Sequence, residues 1–551
     1  FVACSRFRRL PYMQNMPAQQ QQVFQCSCCC QSSANQTVPR VVEDMEVEVV
    51  AAVQLDETDP EDERQSGNLS TPVTKSRSFQ PGLLTVDPSL MRGISLSETL
   101  QHGGRLWRSK KYRSAAWSSS QPAEHFDVFL SHAWATEWHW KYLSLSLQTG
   151  WKHALLAWLA TAAATELLWC FDVLPTHGFY KVQHPDFAQD IPFGGWAMFL
   201  AVPMSVLALV LAPHWPNFCH QPELCFLDVA SINQDDESLK QQGIYSLGGF
   251  LRASKELRIL WSAPYLSRLW CIFEVAAFRT ENPSGQITLA PLYVEVVVVV
   301  LWFGSWAAMI SVRILQISPA GAERFPLPFI LPGLALPALL LYHAFRNSLA
   351  RKLQLLRGLE SFDLAKTQCG KEEDKEFIHG AIVEWYGGLE AFTTYVKGPL
   401  REELLLDHSS SKLPLEYALV VVMPISSFGL DGLVGLIKAK ASTNVVLSFL
   451  FGYALGTTFI GAMLCIQLLM VLGGACSREQ TSIIGRAAQS VVVLLTLGAG
   501  SVLAVRVGVM GYHGGVASSC LTCVLMMMAL WLIYAGHRRA QEVHAFWRRW
   551  G

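Results

Sequence analysis

The sequence predicts a mixed fold class: an α-helical transmembrane bundle of about eight spans joined to a small cytosolic α/β domain with a parallel sheet of about four strands. Three observations lead there. The 551 residues are 51% hydrophobic and only 16% charged, with a mean hydropathy of +0.26, whereas soluble domains carry about a quarter charged residues. Apolar segments long enough to cross a bilayer recur along the chain. Between two of them stand CFLDVASINQDD and LRILWSAPYLSRLWCIFEVAAFR, where short buried-strand patterns alternate with helical ones.

Residues 1–120 are rich in Gln, Ser, Pro, Asp and Glu, with an acidic patch from Glu43 to Glu63. Without sustained apolar periodicity they are expected to form a disordered N-terminal tail. The chain opens on Phe rather than Met, so the true N-terminus is expected to lie elsewhere, and residues 1–40 lack the apolar core of a secretory signal. Five of the 14 cysteines (Cys4, Cys26, Cys28, Cys29 and Cys30) crowd this tail. They read as an unstructured Cys-rich stretch rather than a lipidation site. Cys225 and Cys271 fit a reducing cytosolic face, and a secreted disulfide framework is excluded.

Residues 121–148 carry the first strand and helix of the α/β domain. Asp127–Leu130 is a short β-pattern, followed by Ser131, His132 and a Trp-rich amphipathic stretch. A transmembrane hairpin then fills 149–213, with spans at 151–171 and 192–212. The domain resumes over 214–293. Leu224–Val229 is a second strand pattern, with Asp228 at its end and a polar loop, Ala230–Gln242, after it. Ile244, Leu247, Leu251 and Ser254 recur at helical spacing. Leu257–Trp261 makes a third strand, Tyr265–Ala277 a helix starting near Ser267, and Gln286–Leu292 a fourth strand running into the next span.

A second transmembrane hairpin occupies 294–346, with spans at 294–316 and 327–346. Residues 347–414 form a cytosolic helical segment. There Phe377, Ile378, Ile382, Val383, Trp385 and Tyr386 fall at helical spacing until Gly387-Gly388 breaks the pattern. That predicts a pair of short helices packed against the sheet. A four-span bundle covers 415–536, with spans at 415–437, 444–473, 484–508 and 515–535. A basic cytosolic tail, 537–551, closes the chain. Lys and Arg concentrate in the segment before the first span, in the loops 213–293 and 347–414, and in the tail, while the alternate loops are poorer. The distribution predicts an even number of spans with both termini and the α/β domain cytosolic; Lys438 and Lys440 are the local conflict. The lipid bilayer is thus the first expected partner. A net charge of −1 argues against nucleic acid.

At these residues the sequence resembles the Toll/interleukin-1 receptor (TIR) domain family. Asp127-Val-Phe-Leu-Ser131 is similar to the family's first strand. Phe226-Leu-Asp228 is similar to its second strand and acidic turn, and the turn to Gln242-Gly243 occupies the place of its BB loop. Tyr265-Leu-Ser-Arg-Leu-Trp-Cys-Ile-Phe-Glu274 is similar to its serine-tryptophan-cysteine helix with a glutamate. The resemblance covers Phe126–Trp140 and Leu224–Leu292. Departures are an inserted membrane hairpin, an acidic BB-like loop and no clear fifth strand.

The resemblance implies signalling or scaffolding through TIR–TIR self-association or a protein partner. It also implies an alternative, an NAD(P) glycohydrolase with NAD as substrate and Glu274 as the catalytic carboxylate. Breaking the nicotinamide–ribose bond passes through an oxocarbenium-like state that a carboxylate stabilises. Trp270 and Glu274, four residues apart, share a helix face. Asp127, Ser131 and Asp228 complete the candidate ligand-binding set, at a sheet whose ligands are expected at the carboxyl ends of the strands. The competing reading is a Trp packed beside a salt-bridged Glu in a domain that hydrolyses nothing.

No metal site is expected, because His132, Glu137 and His139 lack a recognised ligand spacing. Glu166, Arg313, Asp431 and Arg506 are ionisable residues inside spans, which mark functional candidates by default. They keep open a third reading, a channel or transporter with a regulatory TIR-like domain.

Overall fold

The computed structural model describes residues 86–108, 112, 116–182, 184–215, 223–317, 340, 344, 346–348, 350–408, 412–475 and 483–550. The chain enters through strand β1 (Arg92–Ser95), helix α1 (Leu96–Arg108) and strand β2 (Gln121–Pro122). Composition assigns this stretch to the disordered tail, and the structure corrects that boundary. Ile94, Leu96, Leu100 and Trp107 are buried in the core beneath the sheet. Strand β3 (Phe126–His132) leads into α2 (Trp138–Cys170), one unbroken helix of 33 residues. At about 1.5 Å per residue it is about 50 Å long. Its early residue Leu145 joins the sheet core and its later residue Trp158 joins the helical bundle.

The hairpin of β4 (Gly178–Lys181) and β5 (Asp190–Phe193) precedes α3 (Ala197–His214). The chain then returns to the sheet through β6 (Leu224–Phe226), α4 (Glu237–Tyr245), α5 (Leu247–Arg252), β7 (Ser254–Trp261), α6 (Leu269–Glu281) and β8 (Gln286–Pro291). Beyond it lie α7 (Val294–Ile317), α8 (Glu372–Tyr386), α9 (Leu389–Tyr395), α10 (Arg401–His408), α11 (Leu415–Lys438), α12 (Thr443–Val471), α13 (Ile483–His513) and α14 (Gly515–Trp550).

The main sheet is mixed and six-stranded, in the order β2-β1-β6-β3-β7-β8. Strands β6, β3, β7 and β8 run parallel, and β1 and β2 extend one edge antiparallel. Val128 pairs with Cys225 and Phe129 with Phe226, so β3 and β6 lie side by side although the long apolar helices α2 and α3 separate them in sequence. Every second residue of a strand points to the same face. Accordingly Phe129 enters one core while its neighbours Val128 and Leu130 enter the other. Burial on both faces is what parallel strands require.

Two local expectations change. Half of the polar segment Ala230–Gln242 is helical, because Asp236 accepts the N–H groups of Ser238 and Leu239 and starts α4, as a strong N-cap does. Gln242 and Gly243 therefore sit inside a helix rather than in a turn. Ser254, at helical spacing in the sequence, is the first residue of β7.

Helices α8 and α9 bring Phe377, Ile378, Ala381, Ile382 and Phe392 into the core on α6. Tyr386 donates its hydroxyl to the Ala276 carbonyl at 3.2 Å. Gly387, with φ +76°, ends α8 in the left-handed conformation that glycine adopts without steric cost.

Among the described residues, six helices are long and apolar enough to cross a membrane: Trp138–Cys170, Ala197–His214, Val294–Ile317, Leu415–Lys438, Thr443–Val471 and Gly515–Ala535. They suggest a membrane protein. Of the other expected spans, 327–346 lies almost wholly outside the described residues. The segment 484–508 falls within α13, which is not among the six. Where α2, α7 and α11 converge, buried Glu295 accepts the hydroxyls of Ser144 (2.8 Å) and Tyr417 (2.9 Å). This junction lies immediately after β8, so the sheet and the bundle are joined without a loose linker.

Candidate functional site

The carboxyl ends of β3, β6 and β7 carry the most concentrated chemistry of the α/β domain. The chain leaves β3 for β6 on one side and returns to β7 on the other. Such a reversal opens a crevice at the carboxyl ends of the strands, where open α/β sheets bind ligands. Ser131, at the end of β3, is fully buried. Its hydroxyl donates to the Glu274 carboxylate and lies 2.5 Å from the Tyr265 hydroxyl.

Glu274 reaches this point because α6 begins only after a turn at Tyr265–Ser267. The turn is fixed by the segment before α8: Leu269 N donates to the Gln368 carbonyl at 2.9 Å, and Gln368 N to the Ser267 carbonyl at 2.6 Å. Burial pushes the Glu274 carboxyl up to about 8; the Ser131 hydrogen bond opposes this and the negative charge of Asp228 adds to it. Burial likewise raises the Tyr265 hydroxyl and the Cys271 thiol well above their ordinary values. A thiol held protonated is a poor nucleophile, so Cys271 is a packing residue.

Asp228 stands beside this group at the end of β6. It accepts the Trp134 indole N–H at 2.7 Å and its oxygen lies 3.9 Å from His132 Nε2. His132 is wedged between Trp107 and Trp134, with ring centroids 5.1 and 4.5 Å away. The buried Lys141 ammonium lies 5.0 Å from the Trp134 ring. Thr136 and Ser262 hydrogen-bond across the crevice between the loops that follow β3 and β7.

The structure thus brings together Ser131, Asp228 and Glu274. Asp127 is elsewhere: it lies at the start of β3, accepting Leu224 N at 2.9 Å and Lys255 Nζ at 2.8 Å. Burial works against its charge, but the Lys255 and Leu224 hydrogen bonds hold its carboxyl below the ordinary range. Trp270 shares the α6 face with Glu274, but its ring packs on Phe273, centroids 5.6 Å apart.

Trp107, Thr136, Lys141, Ser262 and Tyr265 belong to the cluster, and sequence reasoning gives them no role. Tyr265 opens the Tyr265–Glu274 motif, so its position is visible in the sequence though its hydroxyl contact is not. Trp107 sits in a stretch whose composition reads as disordered. Among the described residues no group of three or more His, Cys, Asp and Glu side chains is arranged to hold a metal. His139 and Glu137 pair at the surface, 3.1 Å apart.

No protein family, curated protein or solved structure matches this chain. The assignment therefore rests on its own residues. Of the ionisable residues in the expected spans, Glu166, Arg313 and Asp431 are buried against protein, and Arg506 is exposed.

Proposed function

We propose that the chain is a multi-pass membrane protein whose TIR-like domain, assembled from two separated segments, acts in signalling or scaffolding through protein–protein contact. The observation that carries this reading is α2. One continuous helix begins beside the Ser131–Asp228 cluster and ends across the bundle. The parallel order β6-β3-β7-β8 agrees with the motif resemblance. An association event at the domain would reach the bundle through α2 and through the Glu295 junction. In this reading the domain and both termini face the cytosol, as the Lys and Arg distribution favours.

The test is self-association of purified full chain in nanodiscs, with donor and acceptor copies labelled on the domain. Energy transfer that rises with chain density, and is lost on charge reversal of the exposed surface of α4, supports the reading. A monomer at every density overturns it.

A second reading is favoured by Glu274 itself, a carboxyl perturbed by burial at the strand ends, where functional groups cluster. As an NAD(P) glycohydrolase, the domain would cleave the bond between nicotinamide and ribose, and water would supply the hydroxyl at the ribose carbon. The ionised Glu274 would stabilise the oxocarbenium-like state, which requires Ser131 to release or share its hold on it. Nicotinamide release by the full chain that disappears in Glu274→Ala supports this reading. No release from folded protein removes it.

A further inference from the structure

A second cluster of acids lies inside the bundle, at the far end of α2 from the sheet. Glu166 of α2 and Asp431 of α11 are 7% and 1% exposed. Gly195 turns with φ +72° just before α3 and aims its N–H at Asp431 Oδ1, 2.8 Å away. The carboxyl groups of Glu166 and Asp431 approach each other within hydrogen-bond reach. Yet Glu166 Oε1, Glu166 Oε2 and Asp431 Oδ2 are all buried with no donor pointing at them. The Ala197 N–H approaches Glu166 without hydrogen-bond geometry. Two carboxylates, neither of which can donate, thus face each other in an apolar interior, and buried acceptors left this way cost about 1–3 kcal/mol each.

The remaining charged groups decide what fills the gap. Arg313 of α7 is buried beside the pair, its guanidinium 3.8 Å from the Phe428 ring and 4.1 Å from the Tyr180 ring. It donates to the Phe428 carbonyl at 3.2 Å and to Gln316 at 3.0 Å. Its charge, and that of His177 near β4, acts on Asp431. Lys438 of α11 is engaged with Asp172 and the Trp169 carbonyl. With Arg313 balancing Asp431, a second negative charge on Glu166 would be uncompensated, and buried unpaired charges are avoided by neutralisation. A metal cation would meet the repulsion of Arg313.

We infer that Glu166 and Asp431 form a proton-binding site in the bundle, with one proton held on Glu166 and donated to Asp431 Oδ2. That single proton supplies the missing donor, neutralises the second charge and ties α2 to α11 at the start of α3. The site is independent of the reading of the α/β domain.

Infrared spectroscopy of the full chain in nanodiscs at neutral pH tests it. The wild type shows the carbonyl stretch of a protonated carboxyl that survives Glu274→Gln, disappears in Glu166→Gln and shifts in Asp431→Asn. The Glu166→Gln protein keeps its melting temperature, because the amide N–H takes over the donor role. If Glu166→Gln does not fold, the Asp431→Asn shift decides alone. A wild-type spectrum that differs from Glu166→Gln only in ionised carboxylate bands overturns the proposal. So does an unshifted band in Asp431→Asn, or a missing protonated band together with a melting temperature raised by sodium.

Discussion

Ser131 donates its hydroxyl to Glu274, a residue 143 positions later in the chain and beyond the apolar helices α2 and α3. The bond joins the end of β3 to the middle of α6. It places the most perturbed carboxyl of the α/β domain against the strand ends rather than in solvent. Tyr265, on the other side of Ser131, makes the contact a three-residue group.

Ser131→Ala removes the donor while leaving Glu274 and Tyr265 in place. The cost should be about 1–3 kcal/mol, the usual penalty for stranding buried polar groups. Hydrogen exchange of the β3 and α6 peptides measures it. Unchanged protection in both would show that the group contributes nothing to the domain.

The raised Glu274 carboxyl makes stability depend on pH in a defined direction. Its ordinary value is near 4.5 and its value in the fold is about 8. Between these, the folded chain holds a proton that the unfolded chain has lost, so stability falls as pH rises through this window and levels off above it. Exchange protection of α6 should decline from pH 5 to pH 8, about the span of that window, and Glu274→Gln should flatten the decline. An equal decline in both proteins would assign the dependence to other groups.

Asp228 organises the aromatic side of the cluster. Asp228→Ala leaves the Trp134 indole without this acceptor, and should cost about 1–3 kcal/mol. Asp228→Asn, which keeps an acceptor oxygen for Trp134, should recover part of the loss. Equal melting curves for the two variants would mean that the indole bond carries none of it.

Much of the α/β domain is legible because its strands are short, apolar and bounded by polar turns. Val128, Phe129, Cys225 and Phe226 read as buried strands, and β3 and β6 pair at these residues. The Ser131, Asp228 and Glu274 cluster follows from the same register, since all three stand at strand or helix positions fixed by that pattern. What was not legible depends on tertiary contact. Trp107 and Leu100 are ordered only because the sheet covers them, and a helix as short as α1 is marginal without packing. Asp127 looks like a site residue in sequence, yet it pairs with Lys255, a partner 128 positions away. The start of α4 depended on a single cap, Asp236, inside a run of polar residues that also suits a loop.

Glu295 holds the point where sheet and bundle meet. Glu295→Ala should cost about 1–3 kcal/mol by stranding the Ser144 and Tyr417 hydroxyls in a buried place, whereas Glu295→Gln still offers an accepting oxygen. Thermal unfolding in nanodiscs compares them. If the two variants melt together, the hydroxyl bonds are not what secures the junction.

Assembly of one sheet from chain segments on either side of the apolar helices α2 and α3 is the claim on which the rest stands, and a crosslink tests it most directly. Val128→Cys, in a chain whose only other cysteine is Cys225, places two thiols at paired positions of β3 and β6. After mild oxidation in the membrane and proteolytic cleavage between β4 and β5, the two fragments should stay joined until a reductant is added. Fragments that separate without reductant, from protein that is otherwise folded, would contradict the split domain.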